Sequence, residues 1–131
     1  MEMAGSAQQF VVAVDDDFRV RESIESLVES AGYTPLIFPS AEAFLESGAL
    51  IRAMCLITDV RMPGMNGIEL QRRIRTERPE LPVIFISAHN DDETRRRAFD
   101  EGAASFLYKP FDAGELLEAI RVALANSLTE G

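Results

Sequence analysis

The sequence has very little of what defines several other classes of protein. A single cysteine, Cys55, among 131 residues excludes a fold held together by disulfide bonds. No apolar run approaches the roughly 20 residues that a membrane-spanning helix needs. Residues 1–9 lack the basic and then apolar order of a secretion signal. We therefore expect a cytoplasmic protein that does not contact membranes, with Cys55 as a small buried side chain rather than a reactive thiol.

Basic residues are scarce relative to acidic ones. The chain has 13 Lys and Arg against 22 Asp and Glu, a net charge of −9. Because nucleic-acid backbones are polyanions that favour a basic surface, this balance argues against direct nucleic-acid binding by this chain. Repeats, low-complexity tracts and zinc-finger spacings are missing as well. The apolar content of 47% is, by contrast, enough for the core of a single domain.

Five short apolar runs alternate with helix-like segments. The runs end near Val14, Phe38, Thr58, Ile86 and Tyr108. They lie roughly 20–28 residues apart, which is enough chain for a strand, a helix and two short loops. Since the runs are almost continuously apolar, they predict parallel strands that are covered on both faces. The alternation predicts an α/β fold with right-handed crossovers.

Helix signals fill the segments between the runs. Asp17 is expected to cap the first helix and Ser40 the second, while Pro79 stops the third. The fourth has a thin apolar stripe, and the fifth opens with a sequence close to a capping box. The second helix is predicted over residues 41–47, the third over about 67–78 and the fourth over about 91–101. The first stops at Gly32, and the fifth opens at Asp112. One domain over residues 9–126 is expected, between a flexible N-terminal tail of residues 1–8 and a C-terminal tail of residues 127–131.

Polar residues stand where four of the five runs stop. These residues are Asp15, Asp16, Asp59, Ser87 and Lys109. The second run has no such residue, as expected for the edge strand of a sheet in the order 2-1-3-4-5, whose ligand crevice lies between strands one and three. Because the carboxyl ends of parallel strands share one edge, we expect these side chains to meet there.

The residue types in this group suit a divalent cation and a phosphoryl group. Three clustered carboxylates repel one another, and a magnesium ion with oxygen ligands would relieve that repulsion. Asp59 can serve as a phosphoryl nucleophile. The Ser87 hydroxyl and the Lys109 ammonium can bind phosphoryl oxygens. Each residue also has an ordinary alternative role in a turn, a helix cap or on the surface, but their convergence favours a site. The Lys109–Pro110 bond is expected to be cis, as a tight turn would need.

At this point the chain resembles the receiver domain of bacterial two-component response regulators. The resemblance extends from about residue 9 to residue 124, nearly the whole chain. The residues that carry it are Val14-Asp15-Asp16, Asp59-Val60-Arg61-Met62-Pro63-Gly64-Met65-Asn66-Gly67, Ser87-Ala88 and Lys109-Pro110-Phe111. It implies a flavodoxin-like (βα)5 fold, a five-stranded parallel sheet with helices on both faces.

The resemblance also implies roles for the site residues. Asp59 would accept a phosphoryl group from a partner sensor histidine kinase. Magnesium would be bound by Asp16, Asp59 and the main-chain carbonyl of Arg61, with Asp15 acting through water. Ser87 and Lys109 would bind the phosphoryl oxygens.

Further positions match family residues that transmit or tune the signal. Ser87 and Phe106 would be switch residues, with Phe106 in place of the common tyrosine. Arg61 and His89 occupy positions that tune dephosphorylation in the family. Taken by itself, Phe106 is typical of a core residue, and His89 of a loop residue. The face that switches would be formed by helix 4, strand 5 and helix 5.

Several functional readings remain open from the sequence. In the main one, the chain is a signalling switch, not a multiple-turnover enzyme, and it controls a C-terminal DNA-binding output domain outside this chain. Alternatives are a stand-alone receiver that acts through protein contacts, a small magnesium-dependent phosphatase and a flavodoxin-like cofactor carrier. The phosphatase reading is weakened because Arg61 stands where a second acid would be expected. A phosphorylation-dependent homodimer is compatible with the main reading.

Overall fold

Five parallel strands form one sheet in the order β2-β1-β3-β4-β5. The strands are β1 (Phe10–Val14), β2 (Thr34–Phe38), β3 (Ala53–Asp59), β4 (Val83–Ser87) and β5 (Ser105–Tyr108). The helices are α1 (Phe18–Ser30), α2 (Ala41–Ser47), α3 (Gly67–Arg75), α4 (Asp92–Asp100) and α5 (Ala113–Glu130), with a short 3-10 helix over Ala49–Ile51. A computed structural model describes residues 8–89 and 92–130, the last four by their backbone alone. The predicted fold class and strand order are confirmed.

The register of the sheet brings the carboxyl ends of the strands to one edge. The paired residues at this edge are Val14 with Thr58, Asp59 with Ile86, and Ser87 with Tyr108. Main-chain hydrogen bonds continue the pairing beyond the strands, since Lys109 N donates to Ser87 O at 2.8 Å and Val60 N to Ile86 O at 3.1 Å. The polar residues that follow four strands therefore lie along a single edge.

Helices cover both faces of the sheet, each over its own apolar core. On one face, α1 and α5 pack against β1 and β3 through buried residues such as Ile24 and Ile120. On the other, α2, α3 and α4 contribute residues that include Phe44 and Leu70. Among the described residues, no helix has both the length and the apolar character that crossing a bilayer requires.

Two predicted boundaries differ from the structure by more than one residue. The predicted end of the third helix at Arg78 is wrong: α3 ends at Arg75. Arg78 instead uses its guanidinium to donate to the carbonyls of Leu50 (2.7 Å) and Ala53 (3.0 Å). At the other boundary, α5 continues to Glu130, so residues 127–130 of the expected C-terminal tail have a helical backbone. Residues 1–7 of the expected N-terminal tail, and Asp91 of the expected fourth helix, lie outside the described residues.

The start of α3 is stabilised by a reciprocal capping box. Asn66 Oδ1 accepts a hydrogen bond from Glu69 N (2.8 Å), and Glu69 Oε1 accepts one from Asn66 N (2.9 Å). These bonds satisfy main-chain donors that have no partner within the helix. The cap therefore determines where the loop after β3 ends and α3 begins.

Substitution of Asn66 tests this cap. We expect Asn66→Ala to lower the free energy of unfolding by about 1 kcal/mol, because the Glu69 amide loses its acceptor. Asn66→Ser keeps a side-chain oxygen at the cap and should retain most of the stability. Urea unfolding measures both variants, and equal midpoints for Asn66→Ala and the unchanged protein would contradict this account.

Cys55 lies in the sheet under α1 and α5 and is fully buried. Burial raises the pKa of its thiol to about 12. Since the thiolate is the reactive form, we expect no reaction of the folded protein with an aromatic disulfide reagent at pH 8. One equivalent should react after unfolding in guanidinium chloride. Rapid reaction of the folded protein would show that this part of the sheet opens readily.

Candidate functional site

Three carboxylates converge at the carboxyl edge of the sheet. Asp59 is the last residue of β3, and Asp15 and Asp16 directly follow β1. One oxygen from each of the three lies within 4.8 Å of the others. Asp15 and Asp59 are buried, whereas Asp16 is exposed. The adjacent placement of β1 and β3 in the sheet produces this cluster from residues more than 40 positions apart in sequence.

Hydrogen bonds to both its side chain and its main chain fix the position of Asp15. Its Oδ1 accepts a hydrogen bond from Asp17 N at 2.8 Å, and its main-chain carbonyl accepts one from Arg21 Nη1 at 2.8 Å. Asp17 itself caps α1 by accepting from Arg19 N at 2.9 Å, as predicted. Burial raises the pKa of the Asp15 carboxyl, and the nearby Asp59 raises it further. The hydrogen bond from Asp17 N and the adjacent Lys109 lower this pKa, but they do not outweigh burial.

Lys109 extends its ammonium between two of these carboxylates. The Nζ atom lies 2.9 Å from Asp15 Oδ2 and 3.0 Å from Asp59 Oδ2. Burial opposes the charged form of the lysine, but the two carboxylates outweigh it and raise the Lys109 pKa. Lys109 follows β5 directly, and the Lys109–Pro110 peptide bond is cis.

The loop between β3 and α3 passes close over Asp59. Gly67 N donates to Val60 O at 2.8 Å, which closes the loop at its base. A Cβ on Gly67 would collide with the main-chain carbonyl of Asp59, so only glycine allows this approach. Arg61 N lies 3.4 Å from Asp59 Oδ1, and the Arg61 side chain is exposed. The main chain of Arg61 therefore lies beside the acidic cluster.

The remaining predicted residues lie farther along the same edge. Ser87 ends β4, and its hydroxyl is engaged with the main chain of His89, at 3.1 Å from N and 3.2 Å from O. The His89 residue is exposed. Phe106 is buried in the core, with its ring centroid 6.2 Å from that of Phe85 and 5.4 Å from that of Tyr108. Ser87 is thus at the site edge but bonded away from Asp59.

The donor set fits a divalent metal ion such as magnesium. Three carboxylates face one ammonium, so the cluster carries an excess of negative charge when all of them are ionised. Oxygen donors are the ligands that magnesium prefers, and a divalent cation would balance this excess. The exposed Asp16 and the adjacent main chain of Arg61 leave one side of the cluster accessible. The described residues can therefore hold a metal ion here.

Sequence reasoning missed two residues that act on this site through the main chain. Arg21 contacts the carbonyl of Asp15, and Glu42 of α2 contacts the loop after β3 at Met65 N. Neither contact has a spacing signal, because each depends on how separate elements pack. The Asn66–Glu69 capping box, by contrast, has the spacing of a known motif and could have been predicted.

Comparison with known proteins gives one consistent family. The family model described as "Response regulator receiver domain" matches residues 11–121. The transcriptional regulatory protein FixJ of Azorhizobium caulinodans is 40% identical over 92% of this chain and 57% of its own length. The response regulator protein TmoT of Ectopseudomonas mendocina is 43% identical over 89% of this chain and 53% of its own length. This chain therefore spans about half the length of the curated relatives it matches.

Solved structures agree with this result. A response regulator receiver domain protein from Clostridium thermocellum superposes with a TM-score of 0.87 at 26% identity, over 94% of this chain and 99% of that one. The resemblance predicted from the motifs is thus confirmed at the level of both sequence and fold. The chain belongs to the response regulator receiver domain family, the phosphoacceptor switches of two-component signalling.

Proposed function

We propose that Asp59 accepts a phosphoryl group from a phosphohistidine of a partner sensor histidine kinase. The observation that carries this proposal is the position of Lys109, whose ammonium lies 3.0 Å from Asp59 Oδ2. A carboxylate beside a fixed cation at the open edge of a sheet can accept a phosphoryl group, because the cation offsets the negative charge of the phosphoryl oxygens. The transfer makes the chain a signalling switch rather than an enzyme with many turnovers.

The transfer requires little covalent chemistry from the other residues. An Asp59 oxygen attacks phosphorus, the P–N bond to the histidine breaks, and the imidazole nitrogen keeps the electron pair and takes up a proton. Lys109 stays close to the new phosphoryl oxygens. Ser87 donates its hydroxyl to another of these oxygens after it leaves the main chain of His89.

Magnesium is the cofactor that the acidic cluster fits. Asp16, Asp59 and the main-chain carbonyl of Arg61 would hold it, with Asp15 acting through water. This assignment agrees with the exposure of Asp16 and with Asp15 Oδ1 being occupied by Asp17 N. Bound magnesium would supply positive charge near the phosphoryl oxygens.

A groove beside Lys109 is the proposed docking site for the kinase partner. It has a volume of about 410 Å³ and lies between α1 and the segment after β5. Val20, Ser23, Pro110 and Phe111 are among its lining residues. Because the groove opens next to Lys109, a phosphohistidine carried by a docked partner would come close to Asp59.

We infer that phosphorylation is transmitted through the face formed by α4, β5 and α5. Within Asp92–Asp100, only Ala98 is buried, so few apolar contacts hold α4 to the sheet. Its carboxyl end contacts α3, where Arg72 Nη2 lies 2.8 Å from Glu101 Oε2 and Arg75 Nη1 donates to Glu101 O at 2.8 Å. A helix that has few apolar contacts with the sheet can shift when Ser87 and the loop after it move. Phe106 would then adjust beneath it, while Arg61 and His89 would tune the rate of dephosphorylation.

The free energy needed for such a switch is within reach. Moving a population from 1% to 99% active takes about 5.5 kcal/mol of differential stabilisation. Hydrogen bonds to charged groups contribute roughly 1.5–3 kcal/mol each. One bond each from Ser87 and Lys109 to a phosphoryl group would together contribute roughly 3–6 kcal/mol, and the upper end of this range meets the requirement.

The output of the switch is proposed from the relatives. FixJ is named as a transcriptional regulatory protein and TmoT as a response regulator, and both are about twice as long as the part that this chain matches. We propose that this chain controls a DNA-binding output domain outside the present sequence. Phosphorylation would promote a homodimer through the α4–β5–α5 face.

Asp59→Asn tests the identity of the phosphoacceptor. With acetyl phosphate and magnesium, we expect the unchanged protein to gain one phosphoryl group by intact mass, and Asp59→Asn to gain none, because an amide is a poor nucleophile. Asp17→Asn is the matched control, since it alters an aspartate next to the site and should label normally. Strong labelling of Asp59→Asn would move the nucleophile to another residue.

Thermal unfolding tests the metal site without any phosphoryl transfer. At a magnesium concentration 100 times Kd, binding should stabilise the folded protein by about 2.7 kcal/mol and raise the Tm by several degrees. Asp16→Asn should lose most of this increase. Without metal, the same variant should be at least as stable as the unchanged protein, because one repelling charge is gone. A full magnesium-dependent increase in Asp16→Asn would exclude Asp16 as a ligand.

A further inference from the structure

Glu42 makes a contact that neither the fold class nor the site residues explain. It lies in the first turn of α2, and its Oε2 accepts a hydrogen bond from Met65 N at 2.8 Å. The two residues are 23 positions apart in sequence. Through this bond, an exposed carboxylate of one helix binds the main chain of the loop that leaves the phosphorylation site. We define this loop, residues 60–66, as the Asp59 loop.

The Asp59 loop has internal anchors at its two ends. Near its start, Met62 is buried in the core under α2 and α3. At its end, Gly67 N bonds to Val60 O and Asn66 caps α3. The turn between these anchors contains Gly64, which has a φ of +76° and is exposed. The hydrogen bond that Met65 N donates to Glu42 joins this exposed turn to α2.

Gly64 lies directly beside the Glu42 carboxylate. A Cβ built on Gly64 would lie 2.6 Å from Glu42 Oε2, closer than such atoms approach without a shift. The position requires glycine because of its positive φ. A side chain there would also push the flexible Glu42 carboxylate away from Met65 N.

The base of this contact is rigid and electrostatically suited to a carboxylate. Ala41 and Phe44 of α2 are fully buried, and Ser40 caps the helix by accepting from Ala43 N at 3.0 Å. A carboxylate in the first turn of a helix also interacts favourably with the helix dipole. The hydrogen bond from Met65 N, followed by one from its own amide, lowers the pKa of Glu42, so the side chain is ionised at neutral pH.

We propose that Glu42 is a positioning residue for the phosphorylation site. It holds the Asp59 loop so that the main chain of Arg61 stays beside Asp59, where it can bind the metal ion. This inference rests on the proposed function, because the Arg61 carbonyl is a ligand only in that account. Glu42 touches neither the phosphoryl group nor the metal ion, and it acts through the loop alone.

The test compares Glu42→Ala with Glu46→Ala. Both residues are exposed on α2 and both changes remove one negative charge, but only Glu42 binds the loop. We expect Glu42→Ala to bind Mg²⁺ about tenfold more weakly by calorimetric titration, the lower end of the range for residues that orient a metal ligand. The rate of labelling by acetyl phosphate at low Mg²⁺ should fall in proportion. Glu46→Ala should match the unchanged protein in both.

Amide hydrogen exchange gives a readout that does not depend on activity. In the metal-free protein, exchange at Met65 N should become about tenfold faster in Glu42→Ala and stay unchanged in Glu46→Ala. Glu42→Gln keeps an acceptor oxygen and should restore part of the protection and part of the Mg²⁺ affinity. A uniform loss of Tm, with Met65 exchange and Mg²⁺ affinity as in Glu46→Ala, would reduce Glu42 to a structural role and overturn the proposal.

Gly64→Ala provides an independent check through a double-mutant cycle. In the unchanged background, the new methyl group should displace the Glu42 carboxylate and weaken Mg²⁺ binding as Glu42→Ala does. In the Glu42→Ala background, the same substitution should cost less, because only the strain of positive φ remains. Additive effects would show that Gly64 and Glu42 do not act together.

The outcomes separate this inference from the proposed function. If the unchanged protein takes up no phosphoryl group from acetyl phosphate, the role of Asp59 is wrong, whatever Glu42 does. If it is labelled and binds Mg²⁺, and Glu42→Ala equals Glu46→Ala throughout, only the positioning role of Glu42 is wrong.

Discussion

The contact of one ammonium with two buried carboxylates is the interaction on which the site depends. Lys109 comes from the end of β5, and its partners Asp15 and Asp59 come from the ends of β1 and β3. Buried carboxylates without a cation would be costly, and burial already raises the pKa of Asp15. The sheet order makes the pairing available, since the apolar strands are covered on both faces and only their carboxyl ends remain open. Both the fold and the chemistry of the site therefore require that the carboxyl ends of β1, β3 and β5 lie along the same edge of the sheet.

Much of this arrangement could be predicted from the sequence because it depends on local patterns. Continuous apolar runs at regular spacing predicted the sheet, and the polar residues after four of the five runs predicted its functional edge. The lack of such a residue after β2 matched its place at the edge of the sheet. The end of α3 could not be predicted, since Arg78 binds the carbonyls of Leu50 and Ala53, which lie 28 and 25 residues earlier in the sequence.

Two further contacts near the site could not be predicted from the sequence, because they involve main-chain groups. Glu42 and Arg21 act on peptide groups rather than on side chains, so no residue type at a set distance marks them. Ser87 illustrates a second limit. Its position at the end of β4 was predictable, but the direction of its hydroxyl, toward the main chain of His89, depends on the local turn. A pattern of residue types locates a site, whereas hydrogen bonds to the backbone determine its exact shape.

The ionic tie between α3 and α4 has a further consequence. Arg72, Arg75 and Glu101 are at the surface, where water and dissolved ions reach them, and the pKa of Glu101 is lowered chiefly by its bond to Arg72. The Debye length is about 8 Å at physiological ionic strength and shortens as salt is added. The tie should thus loosen in concentrated salt while the apolar contacts of Ala98 persist. The attachment of α4 to α3 therefore depends on the ionic strength of the surroundings, whereas its attachment to the sheet does not.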